Sequence, residues 1–252
     1  MEERVTSRTN ATLQTVKKLI SSRKFRYERR AFVADGTKLV AEALAWGVEV
    51  ETLILADGAD FPAPANARVL RVPEALMREV SRMETPQGVI ALCRMPEPEP
   101  VTLTPGCLIL DGIQDPGNLG TILRTADAFE IPVILADGCA DPWSEKTVRA
   151  SMGAVFRSLP RSLSSEAVLS QCRERAIPLC VTALTDRAED IRRVPLQSCA
   201  VVIGSEGRGV SPAFLKAADR TAVIPMSPRC ESLNAAVAAT VVLWRLREAS
   251  GL

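Results

Sequence analysis

Apolar residues recur along this chain with two alternating periods. Residues 10–22 carry them at helical spacing and predict a helix. "AFVADG" (31–36) reads as a strand ending in a turn, and "TKLVAEALAW" (37–46) as a helix with Thr37 at its N-cap. "VETLILA" (50–56) and "ARVLRV" (67–72) are predicted strands, "PEALMREVSRM" (73–83) a helix with proline at its first position, and "GVIALCRM" (88–95) a closing strand. The pattern then breaks at "PEPEPVTLTPG" (96–106), whose alternating prolines favour an extended, semi-rigid linker. Beyond it, near-continuous apolar runs resume: "CLILDGI", "PVILADG", "PLCVTAL", "CAVVIGSEG" and "TAVIPM". Such runs suit strands buried on both faces of a parallel sheet. Helices are predicted near 118–129, 143–156, 165–177, 212–219 and 231–249. The expected organisation is a small α/β domain over 1–95, the linker, and an α/β domain with a parallel sheet over 107–252.

Composition narrows the chemistry. With 252 residues, 47% of them hydrophobic, the chain can build a sizeable core. It contains no histidine, and its seven cysteines are scattered, without a C-x-x-C pair, so a metal site is not expected. Most of those cysteines sit in apolar runs and read as small buried hydrophobes in a reducing compartment. The polar, charged N-terminus does not read as a signal peptide, and no apolar stretch reaches membrane-spanning length. A cytoplasmic protein is the expectation.

Net charge is +1, yet residues 1–30 hold nine Lys/Arg against three Glu, so the remainder is acidic. A basic end on a near-neutral chain suggests a local anionic partner such as nucleic acid. Its centre is "RKFRYERR" (23–30). Arg23, Lys24, Arg26, Arg29 and Arg30 would neutralise phosphates, while Phe25 and Tyr27 would stack on unpaired bases. The same pattern equally fits a solvated helix end with its aromatics turned inward.

Three loops carry the remaining signal. "DPGNLGTILRTADAF" (115–129) follows a strand, so it lies at the carboxyl edge of the sheet, where open α/β domains bind ligands. Arg124 sits two turns into its helix, within reach of an anion at the helix start. It is neither a G-x-G-x-x-G dinucleotide loop nor a P-loop, which argues against a nicotinamide-dependent oxidoreductase. "VVIGSEGRGVS" (201–211) packs three glycines into six residues after a buried strand, implying a close backbone approach. "IPMSPRCESLNAAVA" (224–238) is a strand end, a turn and a helix start, with Ser232 and Asn234 where capping residues belong.

In this order, "NLGTILRTADAF", "VIGSEGRGVS" and "IPM…ESLNAAVA" resemble motifs one, two and three of the SpoU-type (TrmH-like) RNA ribose 2′-O-methyltransferases, part of the SPOUT superfamily. "SSRKFRYERRAFVADGTKLVAEAL" (21–44) is similar to the substrate-binding domain that precedes the catalytic domain in many members. The resemblance implies a trefoil knot in the second domain, S-adenosyl-L-methionine as cofactor, RNA as substrate and a homodimer formed through the catalytic domain. By position, Gly204, Ile224, Met226 and Leu233 match cofactor contacts, with Thr182 and Leu184 in addition. Arg124 matches the catalytic arginine, and Asn118, Glu206, Ser232 and Asn234 the other polar site residues. The turn Ser227-Pro228-Arg229-Cys230 departs from the family's glycine-rich one, and Pro228 removes a backbone donor. Ribosomal RNA is the expected substrate and transfer RNA the alternative; a non-catalytic RNA-binding assembly factor would be expected to lose Arg124, Asn118 or Asn234, and none is lost.

Overall fold

The structure, a computed structural model, describes residues 2–227, 229–230 and 232–248. The turn expected to hinge on Pro228 and the helix start expected at Glu231 therefore fall partly outside the described residues.

The first unit begins with β1 (Glu2–Arg4) and α1 (Ala11–Ser21). Asn10 caps α1, its Oδ1 accepting from Thr12 N at 2.9 Å, and Leu13, Val16 and Leu19 form the buried stripe that the spacing predicts. There follow α2 (Arg23–Arg29), β2 (Ala31–Asp35), α3 (Thr37–Ala45), β3 (Val50–Ala56), β4 (Arg68–Val72), α4 (Glu74–Val80) and β5 (Val89–Arg94). Thr37 is the first helical residue of α3 rather than its N-cap. Gly36, at φ +112°, holds the cap position, and Gln87 Oε1 accepts from Thr37 N at 2.8 Å in place of a local side chain. The sheet runs β1-β4-β3-β5-β2, with β5 antiparallel to both neighbours. Sequence reading missed β1, whose three charged or exposed positions carry no strand pattern.

The second unit opens with β6 (Leu108–Asp111), α5 (Pro116–Ala128) and β7 (Val133–Leu135). The next segment, Trp143–Arg157, groups with the first unit, so the division differs from the expected 107–252. The helix expected at 143–156 is two pieces, α6 (Glu145–Ala150) and α7 (Ala154–Arg157), separated where Met152 and Gly153 take φ of +51° and +88°. Phe32 of β2 stacks between Trp143 and Phe156, with ring centroids at 4.8 and 5.8 Å. The chain divides at Glu97–Pro98, within the expected linker. The later part of that linker is docked rather than free: Leu103 is buried and its N–H donates to Gln171 Oε1 at 2.9 Å.

The second unit continues with β8 (Arg161–Ser162), α8 (Ser165–Glu174), β9 (Leu179–Thr182), β10 (Glu189–Asp190), a 3₁₀ turn (Leu196–Ser198), β11 (Ala200–Gly204), α9 (Pro212–Ala217), β12 (Arg220–Val223) and α10 (Ala235–Glu248). Its sheet runs β10-β12-β9-β11-β6-β7-β8 and every pairing is parallel. The central strands β6, β9 and β11 are buried almost throughout, as their unbroken apolar runs require. Ile109, Val181, Val202 and Phe214 are fully buried in one cluster on this sheet. Burying each such side chain stabilises the fold by roughly 1.5–3 kcal/mol. No described helix is long and apolar enough to cross a membrane.

Candidate active site

The parallel register brings the carboxyl ends of β6, β9, β11 and β12 to one edge of the second unit's sheet, and the three loops start there. Each is shaped by its own residues.

In the first loop, Pro116 takes the first position of α5, and Asp115 Oδ1 accepts from Asn118 N at 2.8 Å. That cap fixes Asn118 in the first helical turn. In the second, β11 runs into a tight reversal. Ser205 N donates to Gly209 O at 3.1 Å, and Gly209 N returns the bond to Ser205 O at 2.9 Å. A Cβ on Gly204 would overlap the Gly209 carbonyl group and the nitrogen of Val210, so no other residue fits. Asp111 at the end of β6 accepts from Ser211 N at 2.6 Å and ties the far side of this loop to the first. In the third, Asn234 Oδ1 accepts from Ala236 N at 2.9 Å and Val237 N at 3.3 Å, capping α10. Asn234 thus plays the ordinary capping role. Ser232 lies exposed ahead of it.

The three loops meet through side chains. Asn234 Nδ2 donates to Asn118 Oδ1 at 3.1 Å, and Asn118 Nδ2 donates to Glu206 Oε1. This chain joins residues separated by 116 and 88 positions. Beside it opens a cavity of about 400 Å³. Thr182, Leu184, Gly204, Ile224, Met226 and Leu233 all line it, as do Glu206 and Ser232. Thr182 Oγ1 donates to Val202 O at 3.0 Å. The volume falls within the range of small-molecule sites, roughly 300–1,000 Å³. A lining that is largely apolar with a few polar groups suits a nucleoside carrying an amino-acid tail.

Arg124 is placed elsewhere. It is exposed on α5 and does not line the cavity. Six residues after Asn118 on a helix means about 120° round the axis and about 9 Å along it, so the two residues leave α5 on different faces. Among the described residues it has no ion-pair partner. Sequence reading missed Asp111 and Arg208. Asp111 shows only as a carboxylate closing an apolar strand, and Arg208 only as a cation among glycines.

The basic stretch of the first unit is less uniform than its composition. Arg26 is 5% exposed, and its Nη1 donates to the carbonyl oxygens of Leu19 and, at 3.2 Å, Ile20. It satisfies the orphan carbonyls at the end of α1 and is withdrawn from the RNA-binding set. Phe25 packs against the core, as the inward alternative requires. Arg29 pairs with Glu51 at 3.0 Å, and Arg30 with Glu97 at 3.3 Å. Arg23 lies over the ring of Tyr27, 5.6 Å from its centroid, and both are at the surface with Lys24, which pairs loosely with Glu28 at 3.7 Å.

All seven cysteines are free, and burial pushes the thiols of Cys107 and Cys180 up to about 12, so neither forms a thiolate near neutrality. Among the described residues no cluster of three or more Cys, Asp or Glu could hold a metal.

The SpoU rRNA Methylase family model matches residues 105–244, which span all three loops. The chain belongs to the SpoU rRNA methylase family. Ahead of this methylase region, residues 10–91 match the MRM3-like substrate binding domain. A similar relative is the 23S rRNA (guanosine(2553)-2′-O)-methyltransferase RlmP of Bacillus subtilis, 32% identical over 97% of this chain and 99% of that protein. The 23S rRNA (uridine(2479)-2′-O)-methyltransferase of Streptomyces viridochromogenes is 33% identical over 96% of this chain and 90% of that protein. Among solved structures, the AdoMet-bound rRNA methyltransferase from Sinorhizobium meliloti superposes with a TM-score of 0.85 at 31% identity, covering 98% of both chains.

Proposed function

We propose that this protein transfers a methyl group from S-adenosyl-L-methionine to a ribose 2′-hydroxyl of ribosomal RNA. One observation carries the reading: the Glu206–Asn118–Asn234 chain joins the three motif loops beside a cavity that Gly204, Ile224, Met226 and Leu233 line. The names of the relatives support ribosomal RNA over transfer RNA.

Thr182, Leu184, Gly204, Ile224, Met226 and Leu233 would hold the cofactor, which when bound supplies an already activated methyl group. The protein's task is then to align the ribose oxygen and manage its charge. Alignment alone can lower the barrier by roughly 7–11 kcal/mol. Asn118, held by two neighbours, keeps Glu206 and Asn234 in fixed register at the edge of the cavity. Ser232 and Glu206 present polar groups to the bound molecules. A guanidinium holds its proton and makes a poor base, so Arg124 acts as a clamp on an RNA phosphate and on the developing alkoxide. Its place outside the cavity fits a site completed by a second copy of the chain. Val237 and Trp244, apolar yet about half exposed on α10, which packs against α5, fit the same homodimer. A trefoil knot and a cytoplasmic setting belong to this reading. Arg23, Lys24 and Tyr27 would bind RNA outside the catalytic unit, with Arg29 and Arg30 flanking them.

Mapping ribose methylation of ribosomal RNA in cells with and without the gene tests the proposal. One or more 2′-O-methyl marks lost with the gene are expected. Marks lost from transfer RNA instead would overturn the substrate, and no lost mark would overturn the activity.

A further inference from the structure

Of the described residues lining the cavity, only Glu206 and Arg208 carry a charge. Glu206 accepts a hydrogen bond from Asn118. Arg208 is exposed and, among the described residues, has no carboxylate within ion-pairing distance. Its backbone, by contrast, is fixed. Its N–H donates to Ser205 Oγ at 3.3 Å, inside the reversal closed by the two Ser205–Gly209 bonds. A cation on a braced turn loses little freedom when it binds.

The sign of that charge is informative. The proposed cofactor carries a sulfonium, and a second positive charge beside it is repulsive. The arrangement therefore suits an Arg208 that meets an anion. The reaction proposed above brings two: the phosphates of RNA and the carboxylate of the cofactor's methionine moiety. An exposed guanidinium, with its planar fork of donors, fits a phosphate arriving from solvent. We infer that Arg208 is an RNA-phosphate clamp at the rim of the cavity, contacting the backbone close to the methylated nucleotide. This rests on the methyltransferase reading.

The test compares the wild-type protein with Arg208→Gln and Arg208→Lys. Binding to ribosomal RNA purified from cells lacking the gene is measured across a salt series. Arg208→Gln should bind roughly tenfold more weakly at low salt and lower the slope of log K against log salt by about 0.7–0.9. Arg208→Lys should keep the slope. Calorimetry with S-adenosylhomocysteine and with 5′-methylthioadenosine, which lacks the carboxylate, should give wild-type affinity for both variants. An unchanged RNA affinity and slope in Arg208→Gln would overturn the clamp. So would weakened binding of S-adenosylhomocysteine with methylthioadenosine spared, because the anion would then be the cofactor's carboxylate. Wild-type protein that ignores S-adenosylhomocysteine would sink the methyltransferase reading itself, and the clamp with it.

Discussion

Replacing Gly204 by alanine probes the second loop with the smallest possible change. One methyl group would overlap the Gly209 carbonyl and Val210 N, which are backbone atoms and cannot rotate away. Relief requires opening the reversal and breaking both Ser205–Gly209 hydrogen bonds, at 3.1 and 2.9 Å. At about 1 kcal/mol net for each bond, the cost is about 2 kcal/mol, which lowers the melting temperature by about 4–8 °C in a protein of this size. The loop would move with it, and Glu206 would leave Asn118. Gly207 is the control: nothing lies within 4 Å of a Cβ there and its φ is not in the left-handed region. Gly207→Ala should stay within about 0.5 kcal/mol of wild type. Thermal unfolding and calorimetric titration with S-adenosylmethionine read the two effects. Gly204→Ala that melts and binds the donor like Gly207→Ala would refute the close approach, and with it the account of the loop.

Three further outcomes are expected. Asn118→Ala should reduce turnover by about 10²-fold yet change donor affinity less than threefold, because Asn118 does not line the cavity; calorimetry beside single-turnover methylation separates the two. Arg26→Met should cost roughly 1–3 kcal/mol of stability through the carbonyls of Leu19 and Ile20, whereas Arg23→Gln/Lys24→Gln should keep the melting temperature and flatten the salt dependence of RNA binding; the opposite pattern would return Arg26 to the RNA surface. Burial raises the carboxyl of Asp35 above its ordinary 3.8, against the hydrogen bonds from Ser81 and Arg82, so the folded state holds more protons and stability falls as pH rises from about 4 through the raised value. Asp35→Asn, which can still accept from Ser81, should therefore gain on wild type as pH rises from about 4 and hold that lead above the raised value, and a gap that never changes would show that Asp35 titrates normally.

Much of this architecture was legible because burial leaves a mark on sequence. Strands covered on both faces, such as β6 and β11, read as unbroken apolar runs, and α1 announced its stripe. Elements held by pairing alone left none: β1, β8 and β10 are two or three residues long with exposed or half-exposed positions. The break between α6 and α7 was hidden because Met152 enters the left-handed region without being glycine. At the site, it was the family resemblance that named Thr182, Leu184, Gly204, Ile224, Met226 and Leu233, and all six line the cavity. Side-chain direction was not legible. Arg26 and Arg29 look alike in "RKFRYERR", yet one is buried on helix carbonyls and the other pairs with Glu51. Nor does spacing show that Asn118, rather than Arg124, joins Glu206 to Asn234.

The most direct measurement uses tritium-labelled S-adenosylmethionine, purified protein and ribosomal RNA from cells lacking the gene, followed by digestion to nucleosides. The account predicts label on a 2′-O-methylribose at a defined nucleotide, lost when Arg124 is replaced by alanine. Label on a base, or none with wild-type protein, would contradict it.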